Sequence, residues 1–290
     1  MSAIALQRVV VRMLFDPVFR QKVYRNADTA LAGVDLTPPE RQWLVRPDPR
    51  AYGADAYRAS RALSGLLEEY PVTGALAARC AQGIERLHGF FASEGFHRCV
   101  QDRGSMAAAF GAYVGAGTFS EQPEIAPMAA LETSLVQVRR AAETLPPLEP
   151  AGTADTRIGL APWVRLLSVH PHTLPRYGAL LEHLRQRPGP LLEALLNTND
   201  PLPAGPRWQD AAPEFLLVVA LPGTTDASLE PTSPELGSLL AAAQKTPTRR
   251  HLCAVAVALG AEPEEAAEII QACLDDRLLW PLPSSPQGSA

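Results

Sequence analysis

Glu214-Phe215-Leu216-Leu217-Val218-Val219-Ala220-Leu221-Pro222-Gly223 opens a stretch, continuing to Trp280, that decides how the second half of the chain folds. The unbroken apolar run from Phe215 to Leu221 has the length of a buried strand, and Pro222-Gly223 stops it as a turn does. A second short extended piece, Ala227-Ser228-Leu229-Glu230, follows. Ser233-Pro234-Glu235 then reads as an N-cap, a first-turn proline and a first-turn acid, opening a helix with Leu236, Leu239, Leu240 and Ala243 on one face. Thr246-Pro247 predicts the start of a second helix, which runs through Leu252, Val255 and Leu259 and ends at Gly260, a residue tolerant of the left-handed cap conformation. Pro263-Glu264-Glu265 opens a third, whose Ala266, Ile269, Ile270, Cys273, Leu274 and Leu278 recur at helical spacing. Two strands followed by three closely joined helices must pack as one small module, and the pattern is that of a winged helix-turn-helix.

Upstream, Trp163 to Val169 predicts a strand that joins the same sheet, and Leu174 to Arg185 a helix broken by Pro188-Gly189-Pro190. The module therefore belongs to a domain spanning 157–282, with a polar tail at 283–290. Before it lies Leu145-Pro146-Pro147-Leu148-Glu149-Pro150-Ala151-Gly152, proline-rich and without periodicity, which predicts a linker at 146–156.

Residues 1–145 carry helix signals only, so the fold class is mainly α: an N-terminal all-α bundle of about seven helices plus a C-terminal α+β winged-helix domain. Ile4 to Leu14 is an amphipathic helix that holds Arg8 and Arg12 within its apolar pattern, which distinguishes it from a signal sequence. Asp16-Pro17 caps the next helix, and Thr37-Pro38-Pro39-Glu40 has the capping-box arrangement. Single helices are expected over about 48–69, 73–91 and 125–143. Between them, Phe96, Cys99, Val100, Met106, Ala107, Phe110 and Tyr113 form one stripe, while His97, Gln101, Ser105 and Ala108 lie on another face.

The composition, 47% hydrophobic and 20% charged, is that of a globular protein rather than a disordered one. A formal charge of -5 supplies no general attraction to nucleic acid or to an anionic membrane, and no run has the length of a membrane span. Cys80, Cys99, Cys253 and Cys273 are widely spaced with no Cys-x-x-Cys pair, so they read as reduced core residues of a cytoplasmic protein.

Few residues suggest chemistry. His97 and Cys99, two positions apart on a helix, point away from one another and do not share a metal easily. His170 and His172 flank Pro171 in a loop after a strand, a place where active sites occur, although such histidines are commonly solvent-facing. No phosphate loop, nucleophile elbow or convincing carboxylate pair stands out, so no catalytic residue and no metal ligand is assigned. The C-terminal module has two functional uses besides a purely structural one. As a DNA reader it would use Arg249, Arg250 and His251, but its third helix carries Glu264, Glu265, Glu268, Asp275 and Asp276, which oppose phosphates. As a peptide reader it would leave the edge of its second strand open to an added strand, beside the third helix. The residues this places at a peptide are Ala227, Ser228, Leu229 and Glu230 on the strand and Glu265, Ile269, Ala272 and Asp276 on the helix.

A resemblance enters through Phe15-Asp16-Pro17, Phe19-Arg20, Tyr24, Leu36-Thr37, Glu40-Arg41, Asp48-Pro49-Arg50 and Glu69-Tyr70-Pro71, and above all through Phe96-His97-Arg98-Cys99-Val100-Gln101 with Arg103-Gly104-Ser105. With these the chain resembles, nearly end to end, the partner subunits of multinuclear non-haem iron-dependent oxidases that modify ribosomally made peptides, the pair of the 3-thiaglutamate pathway included. The resemblance implies a helical half like the small subunit of extradiol-cleaving dioxygenases and a second half like a leader-peptide recognition element. It implies a non-catalytic accessory subunit that binds the leader of a precursor peptide and forms a heterodimer with a TIM-barrel iron oxidase. That oxidase would modify a cysteine or another residue; the iron would belong to the partner, and no cofactor to this chain. Two other expectations stay open: a winged-helix transcriptional regulator with an all-α sensor domain, and a metalloenzyme using His97, His170 or His172.

Overall fold

The computed structural model describes residues 3–55, 57–144, 155–187, 189, 192–193, 195, 201–205, 211–224, 226–245 and 247–282. It is mainly helical with a small antiparallel sheet. Two compact units are formed, Met1–Thr133 with Tyr177–Ala204, and Ser134–Arg176 with Gly205–Ala290. Of the linker expected at 146–156 only Asp155 and Thr156 are among the described residues, and the tail 283–290 lies outside them.

The first unit contains α1 (Ala3–Phe15), α2 (Pro17–Arg25), α3 (Ala27–Ala30), α4 (Pro38–Val45), α5 (Pro49–Tyr52), α6 (Arg58–Glu69), α7 (Pro71–Ala78), α8 (Gly83–His88), α9 (Glu94–Asp102) and α10 (Met106–Tyr113). The expected caps hold. Asp16 Oδ1 accepts from the Phe19 amide at 2.8 Å, and Thr37 and Glu40 form the reciprocal capping box. Three long helices expected from periodicity are each broken. Over 48–69 the chain stops at Gly53, and the Asp55 carboxylate accepts from the Tyr57 amide at 3.2 Å, a local turn that competes with helix. Over 73–91 the break is at Gln82, which is left-handed (φ 55). Between Phe96 and Tyr113, Arg103 is left-handed (φ 51), the Gly104 amide reaches back to the Cys99 carbonyl at 2.9 Å, and Ser105 caps a new helix. That break re-phases the stripe beyond it: Met106, expected beside Phe96 and Cys99, is 39% exposed, while His97 is buried.

The core of this unit is an aromatic cluster centred on Phe90, whose ring lies 5.3–5.6 Å from those of Phe91, Phe96, Phe110 and Tyr113. Close packing also fixes a glycine. A Cβ on Gly111 would fall 2.1 Å from Thr133 Oγ1 and 2.6 Å from the Tyr70 hydroxyl, which itself donates to the Ala107 carbonyl at 2.8 Å. Helix α11 (Ile125–Glu143) supplies the buried Glu132, whose carboxylate accepts the Val72 and Thr73 amides at 2.9 and 3.0 Å, satisfying the first turn of α7 with negative charge.

The second unit is built on β2 (Val164–Val169), β3 (Glu214–Ala220) and β4 (Ala227–Thr232), an antiparallel sheet in the order β2-β3-β4. The strand expected near Trp163 thus joins β3, pairing Val164 with Val219 and Val169 with Glu214. A second small pairing, β1 (Ile158–Leu160) with β5 (Leu279–Pro281), was not expected from the sequence. Helix α12 (Thr173–Arg185) follows β2, and α13 (Pro234–Ala243), α14 (Arg249–Ala258) and α15 (Pro263–Asp275) follow β4. Ser233 caps α13 as expected, its hydroxyl accepting from the Leu236 amide. The expected cap Thr246 lies outside the described residues; α14 begins at Arg249 with Thr248 as its cap, the Pro247 carbonyl accepts from the Ile158 amide at 2.8 Å, and Thr248 bridges to Arg157. Gly237 lets α13 lie directly on β3, since a Cβ there would come within 2.2 Å of the Phe215 ring. Trp163 and Trp280 meet edge to face at 5.0 Å.

Candidate functional site

Which backbone groups of β4 face outward follows from the register. The Leu221 amide bonds the Asp226 carbonyl across the hairpin, and pairing alternates in an antiparallel ladder, so Ser228, Glu230 and Thr232 exchange hydrogen bonds with Val219, Leu217 and Phe215. Pro231 fits the alternation, because it has no amide hydrogen and falls at a position that does not bond to β3. Ala227 and Leu229 therefore turn both amide and carbonyl to the open side, and Pro231 its carbonyl only. Among the described residues no strand lies beyond β4, and no hydrogen bond reaches the outward groups of Ala227 or Leu229.

The opposite edge is different. On β2 the outward carbonyl of Leu166 accepts from Gln244 Nε2 at 3.3 Å, and that of Val164 accepts from the Arg165 guanidinium at 2.8 Å. Arg165 also donates to Gln137 at 3.2 Å, and its burial pushes its pKa down. Two outward carbonyls of β2 are thus occupied by side chains, while the outward groups of Ala227 and Leu229 on β4 are left open.

At the end of β4 a groove of about 330 Å³ is framed by Ser233, Leu236 and Leu239 at the start of α13, Ala256 and Leu259 of α14, and Glu265 and Ile269 of α15. Its walls are apolar and accessible, with Leu259 and Ile269 each 38% exposed, an arrangement suited to one or two apolar side chains of an extended ligand. Glu265 is also the third residue of a capping box with Glu262, which holds its carboxylate at the helix start.

Of the residues expected at a peptide, the structure puts Ala227, Ser228, Leu229 and Glu230 on the edge strand, with the side chains of Ser228 and Glu230 joined by a 2.7 Å hydrogen bond. It puts Glu265 and Ile269 on the groove that begins one residue beyond that strand. Ala272 is exposed farther along α15, Asp276 caps that helix, and neither lines the groove. Leu236, Leu239 and Leu259 were read as core-facing stripe residues; Leu239 is buried but also forms the groove wall, and Leu259 stands partly open.

The other candidates separate. His170 and His172 lie with ring centroids 5.1 Å apart, and the His172 amide donates to His170 Nδ1 at 3.2 Å. None of the four cysteines is in a disulfide, and only Cys273 is buried, so the expected core role holds for that one alone. Among the described residues no group of three or more His, Cys, Asp and Glu side chains is placed to hold a metal ion, and no helix is long and apolar enough to cross a membrane. Compared with protein-family models the chain matches none, and no curated protein matches it.

Proposed function

We propose that this chain is a non-catalytic accessory subunit which binds the leader part of a ribosomally made precursor peptide and presents it to a partner TIM-barrel iron oxidase in the cytoplasm. The observation that carries the peptide half of this reading is the open edge of β4, with the outward amides and carbonyls of Ala227 and Leu229 running toward the apolar groove at Leu259 and Ile269. An extended peptide added along that edge gains backbone hydrogen bonds irrespective of sequence, and the groove selects which apolar side chain follows. The module is read as a winged helix of the leader-recognition type on the same grounds. The oxidase half rests on the resemblance of the whole chain and makes delivery a matter of effective concentration and orientation.

A DNA-reading winged helix is disfavoured by the carboxylates of Glu264, Glu265 and Glu268 on α15, which oppose phosphates, more than by the partners of its arginines, since the Arg250 pair is exposed. Arg249 donates to Gln271 at 2.9 Å, and Arg250 pairs with Asp155 at 3.3 Å. The deciding experiment begins with the gene neighbourhood, where a TIM-barrel iron oxidase and a short precursor peptide are expected, and continues with co-expression: the accessory reading expects the chain to co-purify with that oxidase and to bind the leader peptide. A chain that binds neither sinks it, and salt-dependent DNA binding lost on Arg249→Ala with Arg250→Ala would replace it with the regulator.

A further inference from the structure

The groove at the end of β4 carries charge as well as apolar surface. Leu236, Leu239, Leu259 and Ile269 form its apolar walls, and the side chains of Glu235 and Glu265 line it beside them. Both carboxylates are exposed, and among the described residues no basic side chain lines the cavity. Each acid stands in the first turn of a helix, Glu235 in α13 and Glu265 in α15, where the partial positive charge of the helix start favours it. Helix geometry accounts for the two acids, and the groove inherits their sign.

Neither charge is cancelled nearby. Glu265 uses one carboxylate oxygen to accept from the Glu262 amide at 3.1 Å, and among the described residues neither acid forms an ion pair. Glu262, Glu264 and Glu268, exposed on the same stretch of chain, add charge of the same sign. The basic residues of the neighbouring helix are at its other end: Arg249 and Arg250 begin α14, a helix of 10 residues, and Leu259 caps its close. That separation is about 15 Å at the helical rise, beyond the screening length of about 8 Å at physiological salt.

Charge narrows the ligand further than apolar surface does. An apolar side chain that enters the groove brings its neighbours in the chain up to the carboxylates of Glu235 and Glu265, so a basic neighbour is attracted and an acidic one repelled. A lysine or arginine also lays its aliphatic stem along apolar surface while its charged head reaches the acids. We infer, resting on the reading of this edge as a peptide site, that the groove takes a segment pairing an apolar anchor with an adjacent lysine or arginine and rejects one whose anchor is flanked by aspartate or glutamate.

Selection of a displayed library of random dodecapeptides on the immobilised full chain tests this, followed by fluorescence anisotropy with the most enriched peptide. Enriched peptides are expected to carry a bulky aliphatic or aromatic residue with lysine or arginine beside it or one position away. Replacing that basic residue by glutamine should weaken binding roughly 5-fold, the effect of two exposed ion pairs, and the difference should shrink at high salt. The double variant Glu235→Gln with Glu265→Gln should bind the basic peptide no better than the glutamine peptide; glutamine at 265 keeps the capping acceptor, and circular dichroism confirms the fold. Leu229→Pro should weaken both peptides alike. Peptides that depend on Leu229 but show no preference for a basic residue, or whose preference survives the double variant, overturn the charge assignment and leave the peptide edge standing. No enrichment, or binding indifferent to Leu229→Pro, overturns both.

Discussion

A proline at position 229 removes one outward-facing amide from β4 while leaving the ladder to β3 intact, because Leu229 pairs with Val218 at a position that exchanges no hydrogen bond with it. The neighbouring position behaves oppositely: Ser228 bonds to Val219, so Ser228→Pro removes a ladder donor and leaves a β3 carbonyl unpaired. Leu229→Pro should therefore cost little stability, since Pro231 already occupies an equivalent place two residues on. Its side chain is only half-buried, and about 1 kcal/mol covers its lost packing. Ser228→Pro should cost about 1–3 kcal/mol, the penalty of a stranded acceptor and a broken ladder. For a peptide added along the free edge the order reverses. Losing one backbone hydrogen bond is worth about 0.5–1.5 kcal/mol, and the ring stands where the added strand must approach, so Leu229→Pro should weaken leader-peptide binding about 10-fold. Fluorescence anisotropy of a labelled leader peptide reads the affinity, and thermal melting followed by circular dichroism reads the fold. A Leu229→Pro chain that melts like wild type and binds the peptide with unchanged affinity refutes the strand-addition argument, and with it the assignment of Ala227 and Leu229.

Three further predictions use the same two readouts. Ile269→Asp places a charge on the exposed wall of the groove, and because Ile269 is 38% exposed the change should leave stability within about 0.5 kcal/mol of wild type while reducing peptide affinity 10-fold or more; equal affinity would move the apolar contact elsewhere. Glu132→Ala strands the Val72 and Thr73 amides at the buried start of α7 and should cost about 3 kcal/mol by urea denaturation, whereas Glu132→Gln, which keeps one acceptor oxygen, should cost less. Burial holds His97 and His88 below their ordinary pKa, so the unfolded chain takes up protons that the folded chain resists. Their contribution is intact above about pH 6.5 and is lost as the pH falls through that value, by up to about 1.4 kcal/mol per pH unit for His97; His97→Gln should flatten the slope, and an unchanged slope would show that His97 protonates freely when folded.

What the sequence makes readable is what short-range chemistry decides. Asp16, Thr37 and Ser233 each accept from an amide three residues on, so their side chains and the prolines that follow mark helix starts without reference to the rest of the chain. The apolar run of β3 is likewise readable, because a strand covered on both faces needs no alternation. Breaks at Gln82 and Arg103 have no such mark: both are left-handed without being glycine, and only packing around them selects that conformation. Met106 departs from the expected stripe for this reason, since a stripe drawn across Arg103 assumes one unbroken helix. The β1–β5 pairing joins two three-residue segments from opposite ends of the module, and neither has a pattern long enough to announce it. Ile269 was singled out from helical spacing, but Leu259, across the groove from it, became visible only once α13, α14 and α15 had been brought together.

The choice between a nucleic-acid and a peptide partner for the second unit turns on where charge and open backbone lie. A helix read by a major groove must present unpaired basic or amide side chains, and it must tolerate a phosphate every few ångströms. Here Arg249 donates to Gln271, and α15 carries Glu264, Glu265 and Glu268 in its first two turns and Asp275 at its end. Five nearby carboxylates, Asp276 included, raise the cost of a polyanion along that helix, yet they do not hinder an uncharged backbone hydrogen-bonding to β4. The two edges of the sheet sharpen the contrast. On β2 the outward carbonyls of Val164 and Leu166 are occupied by Arg165 and Gln244, the kind of device that hinders strand addition; on β4 the ring of Pro231 guards one end, and Ala227 and Leu229 stay open. A chain that occupies outward carbonyls on one edge and leaves Ala227 and Leu229 open on the other favours a short added strand at those two residues.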